Sequence, residues 1–264
     1  MAEAEPKKYT SRLANQHVLI TGGTSGIGYG LAEALLEENA HVYIASSNPQ
    51  RVAAAVSKLQ HTYPSKARHV QGFVCDLGND ATLEANLAAL LDAVCAAVPG
   101  GLLDHAVHTA GESLAVMPPA AWTIGAAMAA ATVRFWGALF LAQALRGRVR
   151  AGPHASLTLT TGSVSQRPLA GWTVVAALAG GLHAMARNLA VDLAPLRVNL
   201  VSPGAVDTEL WGEAREETVK AMGARTLTGR CGTVEDVVQA YLYLMKDENA
   251  TGACVSTNGG SLYV

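Results

Sequence analysis

The run TGGTSGIG, Thr21 to Gly28, stands between an apolar run, HVLIT (17–21), and a helical pattern that begins near Gly26. Glycine at such a junction permits a tight turn. It also lets backbone N–H groups approach a diphosphate at the helix N-terminus, where the helix dipole favours negative charge. Gly22, Thr24, Ser25, Gly26, Ile27 and Gly28 are therefore candidate dinucleotide ligands. Many strand-to-helix turns need glycine for a positive φ, so the motif gains weight only in company. Arg134 lies among apolar residues in ATVRFWGALF, where an arginine is costly to bury alone; it reads as a pocket residue or half of an ion pair. Ser163 closes ASLTLTTGS (155–163) and is either a site hydroxyl or a cap on local backbone. Glu112, after HTAG, is a replacement acid if burial raises its pKa, and otherwise a solvated loop charge. Trp172 and Trp211 have the amphipathic rings to stack on an aromatic substrate or simply to pack. His108 and His183 read as satisfied structural histidines, and Arg167, before Pro168, as a loop brace.

These residues need elements to position them. Short apolar runs alternate with helical patterns: HVLIT, a helix from Gly26 to Glu38, HVYIAS (41–46), a helix from Pro49 to Tyr63, and RHVQGFVCD (68–76). A helix at 80–97, LDHAVHTAG (103–111), a long helix at 119–146, ASLTLTTGS, a helix at 173–194, RVNLVSPG (197–204), a helix at 233–246 and ACVSTNGG (253–260) follow. Seven strands, apolar on both faces and alternating with helices, predict an α/β parallel sheet covered on both sides. Right-handed crossovers make it doubly wound. Residues 205–232 carry no strand signal and read as a substrate lid. Leu178, Leu182, Met185, Leu189 and Leu193 form one apolar stripe at helical spacing.

Composition narrows the function classes. The chain has 264 residues, 50% hydrophobic and 15% charged, enough for one large core and no second domain. Net charge is −2 with no basic run, so neither nucleic acid nor an anionic membrane is an expected partner. Cys75, Cys95, Cys231 and Cys254 are widely spaced, which indicates reduced thiols and neither a disulfide frame nor a metal site. The polar opening, residues 1–16, reads as a flexible arm without a signal core, and the expected location is cytoplasmic.

Together the motifs identify the chain as a member of the short-chain dehydrogenase/reductase superfamily, with a likeness running from about Val18 to Gly260. TGGTSGIG resembles the family's TGxxxGIG, CDL (75–77) its adenine-side aspartate, HTAG (108–111) its NNAG, RVNLVSPGAVDTEL (197–210) its RVNxVxPGxVxT, and NGG (258–260) its closing VDGG. The resemblance implies a single Rossmann-type domain over 17–264. It adds Asp76, Leu77, Ala110, Gly111, Pro203, Gly204, Val206 and Thr208 to the cofactor contacts. Where the family carries an acid for NAD or a base for NADP, this chain has Ser46, Ser47 and Asn48, with Arg51 nearby. No acid is present to repel a 2′-phosphate, so NADP(H) is favoured over NAD(H). In the family the helices at 119–146 and 173–194 form subunit interfaces, which implies a homodimer or homotetramer; the residues alone also allow the stripe to face the core.

The family's catalytic set is Asn, Ser, Tyr and, four residues after the Tyr, Lys. Anchored on LAVDLAPLRVN (189–199), the Tyr position falls on Val175, the Lys position on Ala179, the Ser position on Ser163 and the Asn position on Arg134. Ketone reduction without a positioned acid forfeits roughly 10²–10⁴-fold in rate. An iminium needs only a hydride and orientation, and a cyclisation only a shaped pocket with a charged anchor. Loss of Tyr and Lys with Arg at the Asn position is similar to a fungal subfamily that includes the bifunctional reductase/Diels-Alderases of prenylated indole alkaloid pathways. The expectation is an NADP(H)-dependent reductase of an imine or iminium in a small-molecule secondary metabolite, with coupling to a Diels-Alder cyclisation. The alternatives are a non-catalytic cofactor- or ligand-binding pseudo-oxidoreductase, or a carbonyl reductase using Ser163 and water.

Overall fold

In the computed structural model, which describes Tyr9 and residues 12–264, the apolar runs become seven parallel strands. They are β1 (His17–Thr21), β2 (His41–Ser46), β3 (Val70–Val74), β4 (His105–His108), β5 (Ser156–Thr160), β6 (Arg197–Pro203) and β7 (Cys254–Thr257), in the order β3-β2-β1-β4-β5-β6-β7. The chain winds outward from β1 to β3, then returns to the other side of β1 as β4. That reversal opens a crevice at the carboxyl ends of β1 and β4, the usual place for a ligand in an open α/β sheet. The register aligns those ends: Thr21 pairs with Ala45 and His108, and Thr160 with Val201. The central strands β1, β4 and β6 are buried throughout, as strands covered on both faces must be. The edge strands β3 and β7 are only partly buried, contrary to the uniform two-faced burial expected from their sequences.

Two hydrophobic layers cover the sheet. One side holds α1 (Gly26–Glu37), α2 (Pro49–Thr62) and α8 (Val234–Lys246), around Leu31, Leu35, Leu59, Val237 and Tyr241. The other holds α3 (Leu83–Ala97), α5 (Gly137–Ala144) and α6 (Thr173–Asp192), around Leu87, Leu91, Leu141, Leu182 and Leu189. The helix expected from 233 starts one residue later because Thr233 is its N-cap. The Thr233 hydroxyl accepts from Asp236 N while the Asp236 carboxylate accepts from Thr233 N, a reciprocal cap that satisfies two otherwise orphaned donors. The helix expected from 80 starts at Leu83, after a turn in which the Asn79 side chain accepts from Ala81 N.

Two expectations are corrected. The long helix at 119–146 is broken into α4 (Ile124–Ala129), a π-helical turn (Thr132–Trp136) and α5. One inserted residue leaves apolar periodicity unchanged to the eye, yet it shifts the ladder locally. The shifted bond runs from Trp136 N to Ala131 O at 3.0 Å. The arm expected over 1–16 does not extend that far: Leu13 is 1% exposed, seated in the core, and Gln16 O accepts from His41 N, while residues 1–8, 10 and 11 lie outside the described residues. Within the 205–232 segment lies α7 (Arg215–Gly223), and Val206 bridges to Gly232.

The α6 stripe faces inward, with Leu182 and Leu189 buried beside Val175, Ala179 and Ala186. By length and composition α6 is apolar enough to cross a membrane, but its buried face packs on β5 and β6. Cys75 and Cys231 are buried, Cys95 is half-buried and Cys254 exposed, all four as free thiols.

Candidate active site

At the switch point the turn after β1 must pass close to the end of β4. A Cβ on Gly22 would lie 2.5 Å from Ala110 N, and Gly22 has a φ of +83°, so side chains are excluded on two grounds. A Cβ on Gly28 would lie 2.3 Å from Gly22 O and 2.5 Å from Thr109 Oγ1. The glycines thus let the head of α1 sit against its own strand turn. The helix opens with no acidic residue in its first turn, so none of its own side chains opposes an anion at its N-terminus. Thr109 ties the neighbouring strands together, donating from N and from Oγ1 to Thr21 O, both at 2.9 Å.

Below this crest His108 is a brace. Its Nε2 reaches Val133 O at 3.0 Å, and because a carbonyl only accepts, Nε2 carries the proton. The unprotonated Nδ1 then accepts from Thr21 Oγ1 at 2.8 Å. Burial pulls the His108 pKa down to about 4, so the ring is neutral. His183 is similarly occupied, 3.0 Å from Ser165 Oγ. Both readings as structural histidines agree with these contacts.

Above the crest a cavity of about 680 Å³ opens. Its wall includes Gly22, Thr24, Ser25, Gly26, Ile27 and Gly28; Ser46, Ser47 and Arg51; Asp76 and Leu77; Ala110 and Gly111; Pro203, Gly204, Val206 and Thr208. Glu112, Arg134, Ser163, Trp172 and Trp211 join the same wall. Asn48 does not: its side-chain oxygen accepts from Arg51 N at 2.9 Å, as the N-cap of α2. Asn48, expected at the cofactor, thus lies off the cavity wall, with its Oδ1 engaged in the α2 cap.

Val175 and Ala179 also line the cavity, one helical turn apart on α6. The alignment that placed the missing Tyr and Lys there is thus consistent with the geometry. Thr161 Oγ1 donates to Ala179 O at 2.8 Å, fixing α6 against the end of β5. No tyrosine, lysine or histidine lines the cavity among the described residues. Tyr241, beneath it, is fully buried with its hydroxyl 2.7 Å from Thr160 Oγ1, and burial drives its pKa upward.

The π turn decides how Arg134 is presented. A residue inserted into the helical ladder leaves one N–H free of it. Here the freed Arg134 N–H donates to Glu112 Oε2 at 3.2 Å. The guanidinium folds back over the same segment, with Nη2 donating to Glu112 O at 2.5 Å and Nε lying 3.8 Å from Oε1. Gly111 makes room, since a Cβ there would fall 2.4 Å from Arg134 Cζ. Burial pushes the Glu112 carboxyl up, against the pull of Arg134 and backbone donors, and pulls the Arg134 pKa down, against Glu112. Desolvation outweighs attraction on both partners, as expected of a cavity wall. Trp211 is held by Nε1→Val206 O at 2.7 Å, and Trp172 begins α6 as its N-cap residue.

Two charged wall residues, Glu209 and Arg225, escaped the sequence reading. Arg225 follows α7 in a stretch with no periodic signal, and Arg167, read as a brace, both lines the cavity and donates to Ser261 O.

The model for the SDR-like Rossmann domain matches residues 9–264. The chain belongs to the short-chain dehydrogenase/reductase family. This oxidoreductase is 41% identical over 261 residues to the short-chain dehydrogenase/reductase fsr5 of Gibberella fujikuroi, covering 97% of each chain. The solved structure of the MalC reductase/Diels-Alderase from Malbranchea aurantiaca matches with a TM-score of 0.88 at 38% identity, over 96% of this chain and 100% of that one. A small-chain dehydrogenase in complex with NADPH matches with a TM-score of 0.76 at 26% identity, over 95% of this chain and 100% of that one.

Proposed function

We propose that this dehydrogenase/reductase binds NADPH and reduces an imine or iminium in a small-molecule secondary metabolite. The observation that carries this reading is a complete cofactor frame beside a cavity in which Val175 and Ala179 replace the proton-donating pair. The frame fits the cofactor: the turn at Gly22 and Gly28 is a cradle that any Cβ would fill, and the first turn of α1 carries no acid. Ser46, Ser47 and Arg51 would hold the 2′-phosphate and Asp76 with Leu77 the adenine side, with Thr208 and the Pro203–Gly204 turn on the nicotinamide side. When bound, NADPH supplies a hydride. Hydride addition to the carbon of a C=N⁺ group, an iminium or an imine that enters already protonated, gives the neutral amine, so no protein group has to deliver a proton at nitrogen. The chain's part is to orient the substrate between Ser163, Arg134 and the tryptophans and to exclude water.

Likeness to MalC favours a second reading. In it the same cavity then folds the reduced diene and its dienophile for an intramolecular Diels-Alder closure, with Arg134 polarising an oxygen of the substrate. The test is NADPH oxidation with N-methyl-3,4-dihydroisoquinolinium and, in parallel, 2-tetralone. Faster turnover of the iminium, by about 10²-fold or more, is the expected outcome. Equal rates for both compounds, or NADPH binding without turnover of either, overturns the reading.

A further inference from the structure

Four arginines and three acids line the cavity: Arg51, Arg134, Arg167 and Arg225 against Asp76, Glu112 and Glu209. For a substrate whose only charge is an iminium this is a poor match, because guanidinium groups repel it. The acids are also placed elsewhere. Glu112 is engaged by Arg134, Asp76 accepts from Gly78 N at 2.8 Å, and Glu209 lies beside Gly26 at the head of α1.

Arg167 and Arg225 have no carboxylate partner among the described residues. Arg12, Arg68, Arg146 and Arg187 also lack one and, like Arg225, are exposed, but they do not line the cavity; buried Arg197 donates to backbone carbonyls. Arg167 is half-buried, and its Nη1 donates to Ser261 O, which leaves the rest of its fork without an acceptor among the described residues. Arg225 is brought to the same rim by the C-terminal tail. Leu227 N and Thr228 N both donate to Gly259 O, at 2.8 and 3.2 Å. Gly259, with a φ of +61°, packs so closely that a Cβ would lie 3.1 Å from Thr226 Cβ. The loop bearing Arg167, the turn after α7 bearing Arg225 and the tail bearing Ser261 therefore meet at one rim, and Thr226 and Ser261 line the cavity with the two arginines.

We propose that this rim recognises an oxygen anion on the substrate, a carboxylate or enolate, gripped by Arg167 and Arg225 while the C=N group reaches inward to Ser163 and Val175. Guanidinium forks suit such oxygens, and charge-assisted bonds are stronger than neutral ones, most of all at the half-buried Arg167. The anion also offsets the repulsion that the arginine-rich wall imposes on an iminium, so the preferred substrate is zwitterionic. This inference rests on the reductase reading for its inward end only.

The test uses two probes, 2-(3-carboxypropyl)-3,4-dihydroisoquinolinium and its primary carboxamide, titrated calorimetrically into the full-length protein loaded with NADP⁺. The carboxylate binds about tenfold or more tightly than the carboxamide, and the difference shrinks with added salt. In the Arg167→Gln, Arg225→Gln double variant the preference falls to within about twofold. Arg167→Lys, which keeps a donor for Ser261 O, retains part of it, and NADP⁺ affinity stays unchanged in all variants. Equal affinities for wild-type protein, no binding of the carboxylate, or a preference that survives the double substitution each overturns the proposal. Adding NADPH in place of NADP⁺ separates the two claims: arginine-dependent binding without reduction defeats the reductase reading alone, and equal reduction of both probes at equal affinity defeats the anion rim alone.

Discussion

At the N-terminal end of the sheet, His105 Nδ1 meets Ser156 Oγ at 2.8 Å and Nε2 meets Gln16 Oε1 at 2.5 Å. His17 Nδ1 lies 2.9 Å from Tyr43 OH, and His17, His41 and His69 stack with centroids 4.7 and 4.2 Å apart. Asp104 accepts from His17 N at 2.8 Å and pairs with Arg150 at 2.7 Å. The C-terminal end also gathers arginines, acids and hydroxyls, yet Arg51, Arg167 and Arg225 face its cavity with no carboxylate partner among the described residues. Density of titratable groups therefore does not mark the site. Polar groups mostly satisfied by one another make a plug, even with His69 Nδ1 left without a partner among the described residues; polar groups left facing open space make a binding surface.

This contrast is broken or sharpened most strongly at Arg134. Its charged form is disfavoured by burial. Arg134→Ala is expected to lower kcat/KM by about 10²-fold for a substrate that carries an oxygen beside its C=N group, and to lower the thermal midpoint as well, because Glu112 loses its cationic partner. A lowered midpoint with intact turnover would move Arg134 to the plug class. His105→Leu should affect stability alone. Orphaning Ser156 Oγ and Gln16 Oε1 costs about 2–4 kcal/mol in stability, with NADPH affinity unchanged at temperatures where the fold persists.

Acid probes the plug next. Burial lowers the pKa of His105 to about 3 and of His108 to about 4, below the ordinary 6.5. The unfolded chain then binds more protons than the folded one. Stability is full above about pH 6.5 and falls as pH drops from there towards about 4, by up to about 1.4 kcal/mol per pH unit for each histidine. Denaturant melts at several pH values should show this slope, and His105→Leu should make it shallower; a flat profile in the wild type contradicts the neutral plug. The smallest effect separates neighbours at the cavity mouth. Asn48→Ala removes the α2 cap at a cost of about 1 kcal/mol, read by thermal melting, and leaves NADPH affinity alone. Arg51→Ala weakens NADPH by about tenfold and spares NADH, as paired binding titrations would show.

The sequence carried most of the frame because each element advertises a local requirement. Turn glycines at Gly22 and Gly28 answer to steric rules legible in the motif, and the apolar strands answer to burial. The π turn at Thr132–Trp136 was not legible, since one extra residue in a mostly apolar stretch leaves the pattern helical. Asn48 could be read as a cap or as a ligand, and only the structure shows its Oδ1 capping α2 from Arg51 N at 2.9 Å, off the cavity wall.

Residue order by itself determined the parallel sheet, the cofactor crest and the absence of Tyr and Lys from their positions, all properties of segments a few residues long. Only the tertiary structure decided that Glu112 takes the N–H freed at Arg134, that the α6 stripe faces the core, and that Arg167, Arg225 and Ser261 share a rim. Those residues are brought together by packing between distant segments, and no local pattern encodes which unpaired charge will meet which empty space.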